Sequence, residues 1–303
     1  MARTTRPTSS NYDFPVVMEE LKTSDGKSAG YWGTRRTDTG KVLGVTSDKY
    51  GLLLNSTLVD SIESVLTDKG LDYSKDVRVA RDGATMYATF DLPGKNIVIP
   101  GVGDTVGMRL TGRNSYDRSC FASFDLAALR EVCTNGMKAL RSTFSFNQKH
   151  SSKLDLSGVS RAIDSAVTAF ETIGEDYALL AETKIDNTIG DYILKNLRDS
   201  KVLSNSLREE ITKIWFDPSY PEDEARNLYN LYNATTQHLT SEAKDDNGNY
   251  KHGLPTHSER YEYANKVNET VLRKLTKAAK DKTFFAKLTR KPVQKSDDVL
   301  VAS

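Results

Sequence analysis

Residues 77–93 read VRVARDGATMYATFDLP, and this stretch decides the fold class. Apolar residues alternate with polar ones on both sides of Asp82-Gly83. A period of two marks a half-buried strand, and Asp-Gly between two such runs marks a hairpin turn. Strand character continues downstream through NIVIP at 96–100 and GVGDTVGMRLTGRNSYDRSCFASFD at 101–125, with a turn near Asn114–Arg118. Upstream, KVLGVTSDKYGLLLN at 41–55 mixes β-formers with glycine and turn residues. Between them, STLVDSIESVLTDKG reads as an amphipathic helix, with Leu58, Ile62, Val65 and Leu66 at helical spacing. Gly70 suits its C-terminal cap, and Asn55, Ser56 and Thr57 are its N-cap candidates. After Asp125, LAALREVCTNGMKAL reads as the start of a helix, broken near Asn135-Gly136.

The period changes after residue 154. Val159, Ile163, Val167, Phe170 and Ile173 form a helical stripe that continues through Tyr177 and Leu180. Further stripes follow at Ile189, Ile193 and Leu197, at Leu207, Ile211, Ile214 and Trp215, and at Leu228, Leu231, Tyr232, Thr235 and Leu239. Tyr261, Ala264, Val267, Val271, Leu272 and Leu275 make a last long helix. Strands first and helices after predict an α+β fold: an N-terminal antiparallel sheet with packed helices, then an all-helical C-terminal half. The expected divisions are a flexible arm over 1–35, an α+β core over 36–153, a helical region over 154–280, and a basic, disordered tail over 281–303.

The net charge of +1 conceals an uneven distribution. Residues 108–153 carry eight Lys/Arg against three acids, a balance of +5. Residues 154–270 carry twelve against twenty-one, a balance of −9, and residues 271–295 carry nine against one, a balance of +8. Basic zones attract polyanions, although a run of charge is also what a solvated face looks like. No apolar run approaches the roughly 18 residues a membrane helix needs. MARTTRPTSSNYDF lacks the apolar core of a secretory signal. The two cysteines, Cys120 and Cys133, are too few for a disulfide framework, so the expected location is a reducing bacterial cytoplasm.

Catalytic grammar is missing. The chain has no P-loop, no G-x-S-x-G elbow and no H-E-x-x-H. GVGDTVG at 101–107 lacks the strand–turn–helix setting of a dinucleotide fingerprint and reads as a loop between strands. His252 and His257 share a polar loop whose spacing supplies no further ligands, and His150 and His238 stand apart. Cys120 and Cys133 lack metal-ligand spacing and read as small core residues. Asp117 and Asp125 have no third acid beside them to hold Mg²⁺. No catalytic residue, metal or cofactor is therefore expected, though a nuclease or hydrolase could still assemble a site from distant residues.

RTDTGKVLGVTSDKYGLLLN at 36–55, NSYDRSCFASFD at 114–125, REVCTNGM at 130–137, LREEITKIWF at 207–216 and LYNLYNATTQHLTSE at 228–242 carry a resemblance to the phage/plasmid-like proteins, a family of unknown function. It spans about 36–275, and its most specific parts are TDTGKVLG, C-T-N-G-M and LYNAxTxxLT. The chain departs from that pattern at Tyr116, where the family often has His. More distantly, the order helix, antiparallel strands, basic helix in 50–150 is similar to phage single-strand annealing proteins of the RecT, Red-beta and Erf type. That similarity implies a homo-oligomer that pairs complementary single-stranded DNA without ATP, in partnership with a phage exonuclease or a host protein.

The residues expected to carry DNA are Arg109, Arg113, Tyr116, Arg118, Lys138, Arg141 and Lys149. The cations would contact phosphates, while Tyr116 and Phe121 would offer stacking faces between the arginines. Strand alternation limits this picture, because Cys120, Ala122 and Phe124 face opposite to Phe121, Ser123 and Asp125. The competing expectation is that the aromatics pack and the arginines pair with Asp117, Asp125 or Glu131. A non-catalytic protein that modulates a protein partner is the alternative function.

Overall fold

The computed structural model describes residues 11–130, 136–138, 146–240 and 261–292. Its first unit is a small antiparallel sheet of β1 (Val16–Lys22), β2 (Ser28–Arg36) and β3 (Val42–Thr46), in that order. The arm expected over 1–35 is thus corrected, since residues 16–35 belong to two paired strands running from Val16 opposite Arg36 to Lys22 opposite Ser28. The missed signal is Asp25-Gly26, a hairpin dipeptide with Gly26 at φ +81°. Phe14 and Val16 are buried against Tyr116, so burial holds the start of this hairpin.

The helix α1 (Asn55–Asp68) forms as its spacing predicts, burying Leu58, Val59, Ile62 and Leu66. It ends at Gly70, at φ +64°, where Gly70 N–H donates to the Thr67 carbonyl and Leu71 N–H to the Leu66 carbonyl, each at 2.9 Å. None of the three N-cap candidates caps the other end through its side chain. The Asn55 N–H donates instead to the Tyr116 hydroxyl at 2.9 Å. A tertiary contact has taken the place of the local cap.

The main sheet is antiparallel and six-stranded: β4 (Ser74–Ala80), β5 (Thr85–Val98), β6 (Thr105–Ser115) and β7 (Ala122–Arg130), with β8 (Gly136–Lys138) and β9 (Phe146–Gln148) sharing the outer edge of β7. The β4–β5 hairpin turns at Asp82-Gly83 as expected, with Arg81, Asp82 and Gly83 all at positive φ. Pro93 has no N–H to donate to a ladder, and the β5–β6 register skips from Leu92 opposite Met108 to Asn96 opposite Gly107. The helix expected from Asp125 onward is corrected: residues 122–130 are strand. Leu-Ala-Ala-Leu-Arg favours helix in isolation, but β6 on one side and β8 on the other pair with it as a central strand, while β9 pairs with the start of β7 at Ala122–Phe124. Cys133, Asn135 and the rest of 131–135 lie outside the described residues.

One sheet face carries Val77, Met86, Ala88, Phe90, Leu110 and Phe124 into the core, under α1 and α2 (Val159–Glu182). A Cβ on Gly112 would meet Ile62 of α1 at 3.4 Å, which shows how closely that helix lies on the sheet. The helical half follows with α3 (Asn187–Asp199), α4 (Asn205–Phe216), α5 (Leu228–Thr240), α6 (Tyr261–Lys280) and α7 (Lys282–Leu288). One buried cluster runs from Leu53 to Leu288, so sheet and helices share a core. The tail expected from 281 is corrected as well. Asp281 caps α7 by accepting from the N–H groups of Thr283 and Phe284, and the Asn196 amide donates to the carbonyls of Leu288 and Arg290 at 2.8 Å. Residues 293–303 lie outside the described residues.

Candidate nucleic-acid interface

The connection from β6 to β7, residues 116–121, is braced by contacts from three other segments. Tyr116 N–H donates to the Ala84 carbonyl at 2.7 Å, and its own carbonyl accepts from the Thr34 hydroxyl at 2.7 Å. The Tyr50 hydroxyl donates to the Ser115 carbonyl at 2.6 Å. From the small sheet, Gly44 lies so close that a Cβ there would stand 2.5 Å from the Asp117 Cα. Asp117 pairs with Arg81 at 3.0 Å and accepts from the Ser119 N–H at 2.9 Å. TDTGKVLG and NSYDRSC, separate in sequence, therefore meet here backbone to backbone.

Arg118 sits on this turn at φ +65°, a left-handed conformation that non-glycine residues seldom adopt without surrounding support. Its side chain is exposed. No ion pair among the described residues includes it. Beside it Phe121 is 46% exposed.

The sheet face opposite the core supplies the floor. Register places Tyr87, Arg113, Ser123 and Asn147 directly opposite one another across β5, β6, β7 and β9. Directly opposed residues project from the same face, so the four form one row. Around its β6–β9 end, Arg113, Arg118, Cys120, Phe121, Ser123 and Asn147 line an open pocket of about 470 Å³. Ser123 is only 1% exposed, and its hydroxyl has no hydrogen-bond partner. Burial pushes the Cys120 thiol above its ordinary pKa, although the Ser115 hydrogen bond and the Arg113 charge pull it down. Cys120 therefore lines the pocket as a thiol that ionises less readily than an ordinary one.

Three arginines on this face are paired with carboxylates. Arg113 pairs with Asp125 at 2.8 Å, Arg109 reaches Asp91 at 2.7 Å through its second nitrogen, and Arg78 meets Asp76 at 2.9 Å. Three arginines alternating with three aspartates do not make a basic groove.

A second polar cluster lies within the core. Arg130, at the end of β7, is fully buried. Its Nε donates to Asp104 at 2.7 Å and its Nη1 to Asp223 at 2.9 Å. The Tyr229 hydroxyl donates to the same Asp104 oxygen at 3.0 Å, and the Asn233 amide to Asp223 at 3.0 Å. Asp104 belongs to GVGDTVG, whose first four residues lie in the β5–β6 loop, with Gly101 and Gly103 at positive φ, while the last three begin β6. Arg130 from REVCTNGM thus joins Tyr229 and Asn233 from LYNLYNATT, and the cluster pins the helical half to the sheet.

A family model matches residues 42–292, more than half of the chain. The protein belongs to the family described as Domain of unknown function (DUF932). No curated protein and no solved structure matches the chain. The DUF932 match begins at the first residue of β3, so β1 and β2 precede it, while both polar clusters fall inside it.

Within this DUF932 chain the predicted DNA residues separate. Arg109 and Arg113 are held by carboxylates on the sheet face. Tyr116 is corrected as a stacking platform: its ring is wholly buried against Phe14, and burial pushes its hydroxyl pKa up to about 12. Its hydroxyl serves α1, so no base can reach it. Arg118 and Lys149 are exposed, Lys149 just past β9. Lys138 stands opposite Ala127 in the register, and Arg141 lies outside the described residues. Ser123 and Asn147 were not anticipated as lining residues. Alternation with Phe121 was a signal for Ser123, whereas Asn147 arrives through a strand pairing that no local pattern announces. Among the described residues no three His, Cys, Asp or Glu side chains are grouped to hold a metal ion, and no helix is long and apolar enough to cross a membrane. His252, His257 and Glu131 lie outside the described residues.

Proposed function

We propose that this protein is a phage- or plasmid-encoded, non-catalytic protein that binds single-stranded DNA and promotes annealing of complementary strands without ATP. The observation that carries the reading is the pairing of an exposed cation, Arg118, which no ion pair among the described residues includes, with an exposed aromatic, Phe121, in the lining of one pocket. A phosphate on Arg118 and a base against Phe121 are the two contacts that single-strand binders combine. With Arg109 and Arg113 already paired, Arg118 and Lys149 supply about two phosphate contacts per chain among the described side chains. That number gives weak binding by one protomer, so useful affinity comes from a homo-oligomer holding one strand at many sites.

Fluorescence polarisation with a labelled oligonucleotide at low and high salt tests this. The expectation is salt-weakened binding with a slope of about −0.7 per phosphate contact. Arg118→Glu should abolish most of it, while the Arg113–Asp125 pair should leave Arg113→Lys nearly unaffected. Absence of binding at low salt by folded wild-type protein refutes the reading. Annealing of complementary oligonucleotides and mass in solution test the purpose and the oligomer.

The alternative, a protein that modulates a phage or host protein partner, is favoured by Tyr31, Val42 and Val45, all exposed on the small sheet. A partner captured after nuclease treatment and lost on Tyr31→Ser would support it over DNA binding.

A further inference from the structure

Resting on the single-stranded DNA reading, we infer that the pocket admits one unpaired nucleotide of the strand and seats its base on the Ser123–Asn147 row, with the adjoining phosphate at Arg118. Aromatic stacking alone needs only a flat exposed ring. Here Phe121 forms one wall of a cavity of about 470 Å³, within the roughly 300–1,000 Å³ of small-ligand sites.

The floor points to a base rather than to a bare anion. Ser123 is 1% exposed with no partner for its hydroxyl, a costly arrangement for a buried polar group unless a ligand completes it. Asn147 stands directly opposite it in the β7–β9 register and also lines the cavity. A hydroxyl and a carboxamide each donate and accept, which suits the mixed donor and acceptor edge of a nucleobase. A backbone phosphodiester accepts only, and would leave the acceptor capacity of both groups unused.

Seating that edge has a consequence. A base held by its pairing edge cannot be paired, so the pocket would select single strands over duplex and release a base when its complement takes it. The braced turn supports such selection, because Arg118 and Cys120 are carried on backbone fixed by the Ser115–Cys120 hydrogen bonds and by the Gly44 contact.

Alkylation of Cys120, followed by peptide mass mapping on the full chain, reads occupancy of the pocket. The probes are deoxynucleoside monophosphates, inorganic phosphate, a single-stranded oligonucleotide and the same sequence as duplex; polarisation of the labelled oligonucleotide runs in parallel. Monophosphates and single strand should slow Cys120 alkylation severalfold, while phosphate at the same concentration and duplex should not. Ser123→Val, which fills the floor, should weaken oligonucleotide binding about tenfold, and Ser123→Ala, which keeps the space, severalfold. Thermal melts identify a variant that fails to fold. If the oligonucleotide binds but nothing protects Cys120, the pocket inference falls and the DNA reading stands. If monophosphates protect but no oligonucleotide binds, the DNA reading falls, and with it seating of a strand. Equal protection by phosphate makes the pocket an anion site and overturns the base assignment, and equal protection by duplex overturns the selection of unpaired bases. Neither protection nor binding refutes both.

Discussion

Replacing Arg130 by Met should be among the most damaging single changes this chain can suffer. Arg130→Met keeps the length of the side chain but removes the cation that Asp104 and Asp223 face at 2.7 and 2.9 Å in the buried interior. Breaking a buried pair from one side costs about 3–5 kcal/mol, because the abandoned charge keeps its desolvation penalty without compensation. Two carboxylates are abandoned here, so the upper part of that range applies. With roughly 2–4 °C of Tm per kcal/mol for large domains, a loss of about 4–5 kcal/mol should lower the melting temperature by about 8–20 °C. Urea titration followed by circular dichroism reads the loss. In a Trp32→Phe background, fluorescence reads the helical half separately, because the remaining Trp215 is buried there under Arg226. The triple variant Arg130→Met/Asp104→Asn/Asp223→Asn removes the orphaned charges and should recover most of the stability. A loss below about 1 kcal/mol for the single variant, the value of an exposed pair, would refute the reasoning. A triple variant no better than the single would refute it too.

Three further outcomes follow from the braced turn and the loops beside it. Gly44→Ala should destabilise by about 1–3 kcal/mol in a urea melt, since its Cβ meets the Asp117 backbone, which has no flexible end to yield; a neutral effect would show that the two sheets can part. Tyr116→Phe leaves the Asn55 N–H buried without its acceptor and should cost about 1–3 kcal/mol, with faster amide exchange at the start of α1; unchanged exchange would deny the tertiary cap. His150 stacks on Tyr50 with ring centroids 5.0 Å apart, and its Nδ1 contacts the Gly51 carbonyl at 3.2 Å, so the proton of the neutral ring lies on Nδ1. Burial lowers its pKa below the ordinary value near 6.5, with the Gly51 contact opposing. A neutral histidine in the fold and a protonated one in the unfolded chain make its contribution complete above pH 6.5 and lost as pH falls from there toward the folded pKa. The stability gap between wild type and His150→Asn should therefore narrow between pH 7.5 and 5.5, and a constant gap would count against it.

Much of the element content was legible from local pattern. Alternation around Asp82-Gly83, the spacing of Leu58, Ile62 and Leu66, and the stripe from Val159 to Leu180 each report a period that backbone geometry imposes within a few residues. The errors arose where a partner outranked propensity. Residues 126–130 favour helix alone, yet strand partners on both sides hold them extended. The polar hairpin at 16–36 is fixed by Phe14 and Val16 packing on Tyr116, a residue 80 positions or more downstream.

The site divides along the same line. Sequence marked 113–125 as a singular stretch, separated its two faces by alternation, and proposed that arginines there could meet Asp125. Which arginine is free depended on cross-strand geometry, since opposite charges one pleat apart neutralise each other whatever the local charge count. Whether an aromatic stacks or packs likewise depended on what lay above it: a buried hydroxyl needs a partner, and Tyr116 found one in Asn55 while Phe121 had none to seek. Local pattern therefore determines the strands and helices, because their hydrogen bonds and side-chain periods close over short range. Tertiary pairing alone decides the pocket, because Arg113, Ser123 and Asn147 become neighbours only when three strands align.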